Sequence, residues 1–94
     1  MIIEATLDFH NFGKLTREQA SLFLENFLEE SYIEKFSKVL VITGKGNNGE
    51  NSGKRILREH IRAELRKSKL VKSFHTADSW NGGAGAFEVL LKDC

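Results

Sequence analysis

Two side chains near the amino terminus have the types and the spacing to move a proton. Asp8 and His10 stand two apart at the end of a short segment rich in β-branched residues, so an extended backbone projects both from one face. A carboxylate beside an imidazole fixes its tautomer and stabilises its protonated form, and imidazole changes charge near neutral pH. The commoner outcome of Asp-x-His is different: an Asx-type turn that closes the strand and leaves the histidine at the surface. Spacing alone leaves both open.

A second candidate is the polar loop at residues 44–53, which holds four glycines and three asparagines. Gly44-Lys45-Gly46-Asn47-Asn48-Gly49 follows an apolar run and fits G-x-G-x-x-G. A dinucleotide site needs that loop to turn directly into its helix within a larger sheet, and here the helix starts several residues later. The loop is not a Walker A motif either, because Gly53-Lys54 is followed by Arg55 and position 48 is Asn48. The surviving chemistry is general: glycines let backbone N–H groups approach a phosphate, and Lys45 adds a point charge. A flexible loop with no ligand has the same composition.

The third candidate is a basic helix over residues 53–67. Ile56, Leu57, Ile61 and Leu65 form its apolar stripe, and Lys54, Arg55, Arg58, Arg62, Arg66 and Lys67 cover the rest. Residues 53–72 carry eight basic and two acidic side chains, a net of +6. Such faces are commonly just solvated. Beside a glycine loop suited to phosphate, this one points to a nucleic-acid backbone. His60 flanks the stripe and reads as packing, and His75, in a strand, has no assigned role. Trp80 suits either stacking on a base or covering the core.

Elements that place these residues follow from periodicity. Residues 1–8 read as a strand ending at an Asn11-Phe12-Gly13 break. Thr16-Arg17-Glu18-Gln19 fits a capping box, and Ala20, Phe23, Leu24, Phe27 and Leu28 give the following helix one buried face. Residues 38–43 hold the run Val39-Leu40-Val41-Ile42 of a buried strand. Residues 71–76 and 87–91 complete the order β-α-β-α-β-β. Right-handed crossovers then put both helices on one face of a four-stranded mixed sheet, a two-layer α/β sandwich. The carboxyl edge of the parallel strands collects Asp8, His10 and Lys45.

Composition bounds the answer. The 94 residues make one domain, 1–94, too small to enclose a large cofactor, and no cofactor is expected. The net charge of +1 hides a polarity, with −3 over residues 1–52 and +4 over 53–94. One cysteine gives no internal disulfide, and the three histidines have no metal-ligand spacing. No apolar run reaches the roughly 18 residues of a membrane span. A cytoplasmic monomer without a membrane partner is the expectation.

Three motifs together resemble one family. Leu7-Asp8-Phe9-His10, followed by Leu15-Thr16-Arg17-Glu18-Gln19-Ala20, is similar to the L-D-x-H opening of the Smr (small MutS-related) domain. Thr43-Gly44-Lys45-Gly46 resembles its H-G-x-G motif, and Gly82-Gly83-Ala84-Gly85-Ala86 its G-G-x-G stretch. The long loop after Gly46 resembles free-standing bacterial members. The resemblance implies a fold like the C-terminal domain of bacterial translation initiation factor three, and an endonuclease acting on DNA or RNA, including messenger RNA on ribosomes. It implies catalytic roles for Asp8 and His10, with Lys45 beside them. Thr43, Gly44, Gly46, Lys54, Arg55, Arg58 and Arg62 would bind nucleic acid. Thr43 stands where many members have histidine, and its hydroxyl can bond a phosphate but is no general base near neutral pH. Loss of chemistry through that change would leave a binding module of the same fold, the alternative reading. With Asp8 as the one carboxylate recognised nearby, no dedicated metal site is expected.

Overall fold

The computed structural model describes residues 2–12, 15–44, 52–78 and 83–93, with backbone alone for residues 10–11, 52–55 and 84. Local chemistry starts the first helix, α1 (Arg17–Ile33): the Gln19 N–H donates to Thr16 Oγ1 at 3.1 Å, and the Thr16 N–H donates to Gln19 Oε1 at 2.9 Å. The capping box thus forms, satisfying two backbone donors that the helix start leaves over. Thr16→Ala removes one half of it, and denaturant unfolding should show a loss of about 1 kcal/mol. The helix ends in a Schellman motif, with Lys35 at φ 63° and the Phe36 N–H on the Ser31 carbonyl at 3.0 Å.

The remaining elements are β1 (Ala5–Asp8), β2 (Lys38–Ile42), α2 (Ser52–Lys67), β3 (Val71–Thr76) and β4 (Ala86–Leu91), which gives the expected β-α-β-α-β-β order. The sheet runs β1-β2-β4-β3, with β1 parallel to β2 and β4 antiparallel to both β2 and β3. One core cluster joins Ala20, Leu24 and Leu28 of α1, Ile61 and Leu65 of α2, and Leu7, Val39, Val41, Val71, Phe87, Val89 and Leu91 of the sheet. Both helices therefore cover the same face. Leu40, Ala77 and Ala86 form a smaller cluster with Ile3 and Ile42.

Three expectations shift. The first strand pairs from Ala5 onward, although the Glu4 N–H already reaches the Lys38 carbonyl at 2.9 Å. The second stops at Ile42, one residue short. Phe23 and Ile56, assigned to the apolar stripes, are 39% and 52% exposed, because each lies at the margin of its helix's buried arc.

Candidate functional site

Because β1, β2 and β3 run the same way, their carboxyl ends share one edge of the sheet, and antiparallel β4 begins there. Asp8, half-buried, closes β1 opposite Ile42 of β2, so Thr43 and Gly44 leave the neighbouring strand just beyond it. The backbone then turns at once: Phe9–Phe12 is a 3-10 helix whose first residue is buried in the core. Each residue of such a turn rotates by roughly 120°. Strand alternation therefore does not carry from Asp8 to His10, and the shared-face argument for that pair is replaced by a strand-to-turn junction. The His10 side chain lies outside the described residues, as do Lys45, Gly46 and Trp80.

The turn after β2 is built around one acceptor. The Thr43 and Gly44 N–H groups both donate to the Gly85 carbonyl, at 2.8 and 2.9 Å. Thr43 is 1% exposed, and its hydroxyl donates to the Gly44 and Gly85 carbonyls at 3.3 and 3.5 Å. Gly44 takes φ 94°, a conformation that side-chain-bearing residues rarely adopt. The family resemblance assigns both positions to nucleic-acid binding; here their N–H groups hold the loop to β4 while Gly44 bends the backbone and Thr43 is buried.

The helix α2 leaves the carboxyl edge and returns to the start of β3, packing on α1 and β3, so its first turns stand on the carboxyl-edge side of the sheet and its last turn on the opposite side. The backbones of Lys54 and Arg55 lie in those first turns, with their side chains outside the described residues. Arg58 is half-buried, with a guanidinium nitrogen 3.6 Å from Glu59 Oε2, and Arg62 is exposed. Arg58, Arg62 and Arg66 are four apart, which aligns them on one flank. The other flank faces α1: His60 Nε2 is 2.8 Å from Ser21 Oγ and 3.2 Å from the Arg17 carbonyl, and the Ser21 hydroxyl donates to Glu64 Oε1 at 2.9 Å. His60 thus packs, as its position beside the stripe suggested, and it fixes the turn of α2 that aims the arginines.

Sequence reasoning missed Glu88. It is 1% exposed, with Lys38 Nζ at 2.6 Å, His75 Nε2 at 3.6 Å and the Asp78 N–H donating at 3.0 Å. A lone carboxylate in the apolar run Phe87-Glu88-Val89 was the available signal. Asp78 also reaches the carboxyl edge, but β3 is three strand spacings from β1, about 14 Å. Among the described residues no three His, Cys, Asp or Glu side chains gather as a metal site, and no helix is long and apolar enough to cross a membrane.

A mixed four-stranded sheet with two helices on one face and a glycine turn at its polar edge defines a small α/β sandwich that two solved structures share. The Smr domain of Thermus thermophilus MutS2 superposes with a TM-score of 0.74 at 32% identity, covering 97% of this chain and 99% of that one. YdaL, a stand-alone small MutS-related protein from Escherichia coli, gives 0.81 at 25% identity, covering 94% and 64%. The Smr domain model matches residues 7–92, and the chain belongs to that family. Endonuclease MutS2 of Lactococcus lactis subsp. cremoris is 26% identical over 90 residues, and that of Caldicellulosiruptor saccharolyticus 32% over 78. These cover 96% and 83% of this chain, which spans about a tenth of the relatives' length.

Proposed function

We propose that the chain binds nucleic acid and cleaves its phosphodiester backbone, with RNA ahead of DNA. The observation that carries this reading is the membership of the chain in the Smr family, together with Asp8 at the strand end beside the Gly44 turn. His10 takes a proton from the attacking oxygen, either a water or the neighbouring 2′-hydroxyl of RNA, and a proton returns to the oxygen that leaves phosphorus. Asp8 holds the imidazole tautomer and stabilises its charged form. Lys45 and the amides of Lys45 and Gly46 neutralise charge growing on the phosphate. Lys54, Arg55, Arg58 and Arg62 hold the flanking backbone, and no metal ion is required. The chain works as a cytoplasmic monomer, with ribosome-bound RNA among its substrates.

The test is incubation with end-labelled single-stranded RNA and with supercoiled DNA, with and without EDTA, beside Asp8→Ala. Metal-independent RNA cleavage ending in a cyclic phosphate identifies the 2′-hydroxyl as nucleophile. One observation favours a second reading, a module that binds without cutting. Thr43 replaces the motif histidine, and its hydroxyl is committed to main-chain carbonyls. Binding with no product from any substrate would select it. Either reading requires salt-dependent affinity, and Arg62→Ala should weaken binding to all sequences and flatten the slope of log K against log salt by about 1.

A further inference from the structure

The chain contains seven phenylalanines. Five belong to the main core or pack against it: Phe9, Phe27, Phe36, Phe74 and Phe87. Phe12 and Phe23 do not, and they are 41% and 39% exposed. Their rings nonetheless lie parallel, with centroids 4.8 Å apart and planes at 8°. Phe9, 3% exposed, meets Phe12 edge-on with centroids 6.2 Å apart and so anchors the pair to the core. The contact arises because one turn of a 3-10 helix brings residues three apart onto one side. Single exposed apolar residues are ordinary, but a preorganised stack of two rings is a shaped aromatic surface.

Its place in the fold supplies the occupant. Phe12 ends the 3-10 turn that begins directly after Asp8, at the β1 border of the sheet, whereas α2 packs toward β3 with its arginine flank turned away from α1. A polyanion lying along the carboxyl edge has arginines at one end and this stack at the other. We propose that Phe12 and Phe23 form a stacking platform for an unpaired base of a single-stranded nucleic acid, next to the Asp8–His10 junction. The inference rests on the nucleic-acid reading above and deepens it to a substrate class. Bases inside a duplex have both faces covered by neighbours and cannot use such a platform, while a single strand can.

The experiment measures binding of end-labelled single-stranded RNA, single-stranded DNA and blunt duplex DNA to the parent chain and to Phe12→Ala, Phe23→Ala and Phe12→Trp. Stacking reads the face of the base and not the sugar, so Phe12→Ala should weaken both single strands by about tenfold. Duplex binding should hold, and Phe12→Trp should retain single-strand affinity. Phe12→Leu, which keeps the apolar contact with Phe9 but no aromatic face, should bind single strands as poorly as Phe12→Ala while unfolding at the parent's temperature. Equal losses on single strands and duplex, or no loss on either single strand, would overturn the platform and leave the cleavage reading standing. If the parent binds no nucleic acid at low salt, the broader reading fails with it.

Discussion

Replacing His10 with alanine is expected to slow RNA cleavage by about a hundred- to ten-thousand-fold while leaving binding nearly intact. The separation follows from where the charges lie. In the proposed mechanism the attraction to the backbone comes from the α2 arginines, of which Arg62 is exposed and Arg58 half-exposed, and none is altered by the change. His10 lies in the 3-10 turn after β1, and in the proposed mechanism its part is proton transfer alone. Single-turnover cleavage and equilibrium binding on the same oligonucleotide check this directly. A His10→Ala chain that cuts as fast as the parent removes the histidine from the chemistry. Asp8→Asn should fall between the two, since the amide can still hydrogen-bond the imidazole but cannot stabilise its charged form.

The largest expected effect on stability belongs to Glu88 and Lys38. The carboxylate sits at 1% exposure on the central strand β4, with Lys38 at 2.6 Å and 18% exposed. Lys38→Met takes away the near cation from a buried carboxylate, which should cost about 2–4 kcal/mol. Removing the charge as well should reverse much of that loss. In Lys38→Met/Glu88→Gln the amide oxygen still accepts from the Asp78 N–H, so urea midpoints should recover most of the difference. If the double variant is no more stable than the single one, the pair is not what holds Glu88.

What could be read in the sequence was what short-range chemistry decides. The Thr16–Gln19 box closes within four residues, and the Val39–Ile42 run and the Val71–Thr76 strand are marked by local apolar and β-branched pattern, although their partners lie elsewhere; all three form. The L-D-x-H and glycine motifs carried the family because three ordered signals agree. What could not be read depends on distant strands. Thr43 and Gly44 find their acceptor at Gly85, 42 and 41 residues away, so no local rule announces those bonds. Glu88 is buried through Lys38, which is 50 residues earlier and diagonal to it across β2 and β4. Phe23 looked like core because helical spacing marks an arc, and only the neighbouring elements decide where that arc ends.

The sheet order also bears on how the chain acquires its shape. The last of these strands in sequence, β4, is inserted between β2 and β3, so β2 waits for its antiparallel partner more than 40 residues later and β3 for the strand that follows it. During synthesis the first 85 residues can form helices and the β1–β2 pair, yet β3 has no neighbour in the sheet and the Gly85 acceptor is barely in place. Such long-range pairing is slow, and until it completes an apolar strand edge is open to other chains. Closure of the sheet and setting of the Gly44 turn are thus one late event, driven by residues 85–91. A nascent chain stalled short of them has β3 unpaired and the Gly44 turn without its acceptor.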